Sequence, residues 1–273
     1  MNVADQSAED PVGKDIAASA PEILAVKARQ PWQRILVLAC LAGAFIAFGS
    51  IMSLVMQAYM GDVGIVRVLS GLGFSVGLVL VMIVGAELFT GNTMMVLPMV
   101  KGELAPGRMV SAWSIVWVGN LIGSLAIALL FAASGGLADG VDKAAIAVAE
   151  GKLAKSPQEI FCSAILANML VCLAVWMSMA AQTIPAKVVA IIGPVTLFVA
   201  AGLEHSIANM SLLPLGWLAA ASATPDLAAG MTNLLFSTLG NVLGGSLLAG
   251  EDVSQDQECR KIFGHGTRLS ERR

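Results

Sequence analysis

Gly85-Ala-Glu87-Leu-Phe-Thr-Gly-Asn92 and Gly202-Leu-Glu204-His-Ser-Ile-Ala-Asn209 share the pattern G-x-E-x-x-x-x-N, 117 residues apart. A second pair follows in the same order. Gly119-Asn120-Leu-Ile-Gly123 and Gly240-Asn241-Val-Leu-Gly244 share G-N-x-x-G, 121 residues apart. Two matches in one order and at nearly one offset mark an internal duplication. The halves cover about residues 33–136 and 157–250, with three apolar segments in each. An odd number of membrane crossings per half sets the halves in opposite orientation, the inverted 3+3 repeat of many transporters.

The apolar segments are long enough for that reading. Ile35–Met60, Val68–Ala86, Met109–Ala138, Ile160–Ile184 and Leu227–Gly250 contain no Asp, Glu, Lys or Arg. Between Val188 and Thr224 the polar interruptions of note are Glu204 and His205. A crossing needs ~20 mostly apolar residues, so six spans are expected. Only 13% of the 273 residues are charged and 57% are hydrophobic, whereas a soluble domain carries roughly 25% charged residues. The four cysteines form no CxxC pair, which argues against a disulfide framework or a zinc site. No basic run points to nucleic acid.

Residues 1–31 are polar and lack the basic start and apolar core of a signal peptide. They are expected to form a tail with a short surface helix near Ala20–Arg29. A second tail is expected at 251–273, after the six-helix domain at 32–250. With both termini on one side, that side holds 12 of the 16 Lys and Arg residues and the other holds 4. Positive charge favours the cytoplasm, so both termini are expected there.

The repeated G-x-E element lies in the middle segment of each half. The flanking apolar pieces Leu88–Val100 and Val188–Leu203 are short for a span. The second and fifth helices are therefore expected to be broken. A break at membrane depth survives only inside protein or against a watery cavity. It also offers helix N-termini to a passing anion. The glycines of G-N-x-x-G stand four apart on one helix face, where they permit close helix contact.

Gly85–Asn92 (GAELFTGN), Asn168–Trp176 (NMLVCLAVW) and Gly202–Met210 (GLEHSIANM) resemble the signatures of the formate/nitrite transporter family. The resemblance runs from about Trp32 to Gly250. It implies an all-α, aquaporin-like protomer of six helices with the second and fifth interrupted, assembled as a homopentamer with a pore in each protomer. It implies passage of formate, nitrite or hydrosulfide across an inner membrane, formate being the family-level expectation. The resemblance places the family's central histidine on His205, its polar partner on Asn168 and the mobile threonine on Thr90. It places constrictions at Leu78 and Phe198 on the cytoplasmic side and at Leu88, Phe89 and Val171 on the periplasmic side. A mouth lysine falls on Lys152. The polar stretch after Gly250 departs from the family's pattern, in which the sixth helix continues.

Taken on the residues alone, His205 is the sharpest candidate, because an ionisable group at membrane depth is functional by default. An anion in an apolar constriction loses solvation, so proton exchange with His205, with Asn168 as neutral donor, is expected to ease its passage. Glu87 and Glu204 are expected to be structural, accepting hydrogen bonds from the broken backbone or the other half. Asn92 and Asn209 either cap half-helices or line the pore. Lys152 and Lys155 are solvated loop lysines unless they concentrate anions. An intramembrane metallohydrolase would need about three ligands and has neither HExxH nor G-x-S-x-G here. No catalytic residue, cofactor or metal is expected, and the partners expected are a small anion, protons, lipid and copies of the chain itself.

Overall fold

The computed structural model describes residues 13–60, 64–220 and 224–263. The described residues form helices α1 (Gly13–Arg29), α2 (Trp32–Met60), α3 (Gly64–Val84), α4 (Phe89–Asn92), a 3-10 turn (Thr93–Met95), α5 (Val96–Val100) and α6 (Pro106–Ala133). They continue as α7 (Val141–Leu153), α8 (Pro157–Ala180), α9 (Ile184–Ala200), α10 (Ser206–Ala219) and α11 (Leu227–Phe263). Helices α2, α3, α6 and α8 are each long and apolar enough to cross a membrane, and α9 and α10 are shorter apolar helices. Trp32 and Tyr59, both exposed near the ends of α2, lie roughly 40 Å apart by helical rise. That matches a bilayer with its interfaces, where aromatic residues collect.

Local sequence sets the helix starts. Pro106 and Pro157 open α6 and α8 at positions where a missing N–H costs nothing. Ser156 and Glu159 form a capping box at α8: the Ser156 hydroxyl accepts from Glu159 N at 3.3 Å and the Glu159 carboxylate accepts from Ser156 N at 2.7 Å.

In each half the first and last long helices pair, α2 with α6 and α8 with α11. The G-N-x-x-G glycines make this possible. A Cβ on Gly119 would meet the side chain of Ala39, and one on Gly123 the backbone of Cys40. Gly240 and Gly244 meet Phe161, Ala164 and Ile165 in the same way. The halves then join through α3 against α9 and α6 against α10.

The duplication reaches further than the three-span halves. Helix α7 precedes α8 as α1 precedes α2, with Pro31 and Pro157 at the two junctions. Helix α1 packs on α5 and α8, and α7 packs on α10 and α2. Each repeat thus opens with a shorter helix ahead of its three spans. Helix α1 is correspondingly more than a short surface helix. Ala20, Leu24 and Ala28, four apart on one face, are buried with Met94, Met95, Leu97 and Cys172. Arg108 donates to Ala28 O at 2.8 Å and Gln30 O at 2.9 Å, and Arg29 to Glu103 O at 2.6 Å.

The polar stretch after Gly250 does not end α11, which continues to Phe263. The residues from Glu251 to Phe263 include neither Gly nor Pro and are rich in good helix formers. Gly264 follows at once.

Candidate functional site

Each break is built by the same four devices. Gly85 (φ 73°) and Gly202 (φ 67°) stop α3 and α9 in the left-handed region that glycine enters freely. Ala86 N then bonds back to Val81 O at 2.9 Å, and Leu203 N to Phe198 O at 3.0 Å. The next helices start against an asparagine from the other end of their own half. Phe89 N donates to Asn120 Oδ1 at 2.9 Å and Ser206 N donates to Asn241 Oδ1 at 2.8 Å. The amide nitrogens hold the loop carbonyls: Asn120 Nδ2 donates to Glu87 O at 2.9 Å and Ala39 O at 2.8 Å, Asn241 Nδ2 to Glu204 O at 3.1 Å and Ala164 O at 2.8 Å. Buried backbone groups without partners are costly, and these two amides satisfy them. The G-N-x-x-G motif therefore carries two functions. Its glycines seat the helix and its asparagine closes the break, a role the sequence reading missed.

The two carboxylates are buried and tied to asparagines five residues on. Asn92 Nδ2 donates to Glu87 at 2.8 Å and Asn209 Nδ2 to Glu204 at 2.7 Å. Glu87 also meets Lys27 of α1 at 3.2 Å and Gln30 at 3.4 Å. Glu204 meets Lys152 at 3.1 Å and Lys155 at 2.6 Å. Asn233, not singled out from sequence, accepts from Asn209 Nδ2 at 2.7 Å. The carboxylate partners are thus side chains of asparagine, lysine and glutamine, where broken backbone or the opposite half was expected. Asn92 and Asn209 brace the carboxylates, and neither caps a half-helix. Lys152 is largely buried, and loss of solvent pushes its ammonium below the usual lysine range while the Glu204 charge opposes the fall.

His205 stands where the halves touch. Its Nδ1 accepts from Ala208 N at 3.1 Å, capping α10. That bond leaves the ring proton of the neutral side chain on Nε2, which is 3.0 Å from Thr90 Oγ1 of the first break. The ring stacks on Phe198 with centroids 5.6 Å apart, and Phe198 meets Phe74 edge-on at 5.4 Å. Asn168 does not reach His205. Its Nδ2 donates to Asn241 O at 2.6 Å, Thr93 Oγ1 at 2.9 Å and Thr90 O at 3.2 Å. It holds the first break in place, and the direct partner of His205 is Thr90.

A cavity of about 980 Å³ opens above this contact. Phe74, Phe198 and His205 lie at its floor, with Lys152 and Lys155 from the α7 side and Ser53, Gln57 and Arg67 from α2 and α3. Leu78, Leu88, Phe89 and Val171 are buried in the core beneath it. The grouping expected for the constrictions, Leu78 with Phe198 and apart from Leu88, Phe89 and Val171, is not the one found: Phe198 lines the cavity and Leu78 lies off it with the other three. Phe198 shares the cavity lining with Lys152. Leu88 and Phe89 follow Glu87, whose lysine comes from the N-terminal α1.

These features define a helical membrane protein with paired broken helices around a polar contact, the architecture of a channel for small solutes. Residues 14–251 match the formate/nitrite transporter family as a whole, and the chain belongs to that family. The formate channel FocA of Escherichia coli (strain K12) is 35% identical over 236 residues, covering 78% of this chain and 82% of its own. The nitrite transporter NirC of the same strain is 37% identical over 239 residues, covering 86% and 87%. Two solved structures share the fold at TM-score 0.78. One is an FNT family ion channel at 34% identity, covering 89% of this chain and 97% of its own. The other is a pentameric formate channel with formate bound at 30% identity, covering 83% and 98%. The chain is therefore a multi-pass membrane protein and an anion channel or transporter of that family, not an enzyme.

Proposed function

We propose that this chain carries formate across a prokaryotic inner membrane, as a homopentamer with both termini in the cytoplasm and one pore per protomer. The single observation behind this reading is the 3.0 Å contact between His205 Nε2 and Thr90 Oγ1. It joins a polar group from each inverted half next to a cationic cavity that His205 itself lines. An anion arriving there replaces lost water with the Nε2–H and the threonine hydroxyl. The apolar walls favour its neutral acid, so a proton travels with it. His205 supplies that proton only after taking one. Nδ1 first releases Ala208 N and accepts a proton from the cavity, and Nε2 then passes its own to the carboxylate. Leu78, Phe198, Leu88, Phe89 and Val171 form the apolar path in this reading, and Lys152 lines its mouth.

Support for pentamers comes from the formate-bound pentameric relative, and support for orientation from the Lys and Arg bias of the chain. Nitrite is the competing cargo, since NirC is as similar to this chain as FocA is, and hydrosulfide is a third. Flux of formate, nitrite and hydrosulfide into proteoliposomes at pH 5 and pH 7.5, with internal pH recorded, tests the reading. Formate uptake that moves protons and is lost or made pH-insensitive in His205→Ala is the expected result. Faster nitrite or hydrosulfide flux reassigns the cargo. No flux of any of the three from folded pentamers ends the proposal.

A further inference from the structure

Three cations and one carboxylate line the large cavity: Arg67, Lys152, Lys155 and Glu204. The two lysines share the Glu204 carboxylate, at 3.1 and 2.6 Å, and Lys155 also donates to Gly202 O at 2.7 Å. Their ammonium groups are turned into the wall of the break, and Lys152 is only 13% exposed. Arg67 differs on each count. It stands on the first turns of α3, exposed at the rim, and makes no ion pair or hydrogen bond among the described residues. A guanidinium stays charged throughout the accessible pH range. Between low-dielectric helix walls its field is focused along the cavity.

We propose that Arg67 is the capture residue of this vestibule: it draws the monovalent anion in, while Lys152 and Lys155 serve mainly to hold Glu204. The inference rests on the anion-conducting reading above. It separates two jobs that a count of positive residues would merge. Removing Arg67 weakens entry alone. Removing either lysine disturbs the break, and with it the pore.

The first experiment measures anion flux entering from the α7 side, in vesicles of defined protein orientation, for wild type, Arg67→Gln, Arg67→Lys and Lys155→Gln. In Arg67→Gln the half-saturating concentration rises about threefold at low ionic strength, and the difference vanishes near 0.5 M inert salt. Maximal flux and its pH profile stay unchanged, and Arg67→Lys restores capture. Lys155→Gln lowers maximal flux. An unchanged half-saturating concentration in Arg67→Gln, with wild type active, overturns the proposal and leaves conduction standing.

A second readout does not need transport. Gln57→Cys, in a background with the native cysteines replaced by serine, reports the cavity's potential through the rates of modification by anionic and cationic methanethiosulfonates. Adding Arg67→Gln is expected to cut the anionic-to-cationic rate ratio about fivefold at low salt. A ratio that does not move overturns the assignment even if no anion is carried. A wild type without flux but with the expected drop in ratio sinks the conduction reading and keeps Arg67 as the source of the cavity's field.

Discussion

His205 works through two atoms. Nδ1 belongs to the fold, as the cap of α10, and Nε2 belongs to the pore, facing Thr90. Substitutions separate them. His205→Ala removes the cap as well as the donor and is expected to cost about 1 kcal/mol of stability. His205→Asn keeps a capping oxygen and is expected to unfold near wild type while its flux loses pH dependence. Thermal unfolding by tryptophan fluorescence, read beside the flux assay, distinguishes the two. Asn120 and Asn241 are the second residue-scale case. Each satisfies one N–H and two carbonyls, so alanine at either site is expected to destabilise by about 2–4 kcal/mol. An unfolding midpoint equal to that of wild type would show that water replaces the amide. The importance of His205 was legible in sequence, because an ionisable group in an apolar segment is rare. Which ring nitrogen does which job was not, since that depends on how the ring turns between the N–H of Ala208, three residues along the chain, and Thr90 of the opposite half.

At the scale of elements, the glycines are the parts that sequence revealed best. The four-residue spacing of Gly119 with Gly123 and Gly240 with Gly244 announced a contact face, and the backbones indeed meet there. Gly123→Ala or Gly244→Ala drives a methyl into a neighbouring helix and is expected to cost about 1–3 kcal/mol. Gly107→Ala meets nothing within 4 Å and serves as the control in the same unfolding series. Gly85 and Gly202 were visible as the first letters of the motif, yet their work, ending a helix at positive φ, was hidden until the backbone was seen. The constrictions show the opposite limit. Only the family resemblance pointed to Leu78, Phe198, Leu88, Phe89 and Val171, whose residue types alone read as ordinary core, and the face on which each lies depends on how far a helix has travelled before its break.

At the scale of the molecule, the inverted repeat was fully legible, because motif order and offset carry it. Its true extent was not. Helices α1 and α7 share a lysine in the last turn and a following proline, too little to align. Only packing shows that each leans on its own half's broken segment and sends a lysine to its glutamate. Breaking one of these buried pairs leaves charge uncompensated. Glu204→Gln alone is expected to lose about 3 kcal/mol or more, and Glu204→Gln with Lys152→Gln to recover part of it. Equal stability of the single and double variants, in matched detergent melts, would show that Lys155 alone carries the pairing.

The place of α1 in the repeat changes where the folded body begins. A chain shortened to start at Trp32 would keep every membrane-crossing helix and look complete by hydropathy. It would nonetheless strip the cover from Met94, Met95 and Leu97 and leave the Glu87 carboxylate without Lys27. Trimming at that point removes one of the four parts of the first repeat. A shortened version chosen to remove only a tail should therefore keep the chain from Gly13 onward.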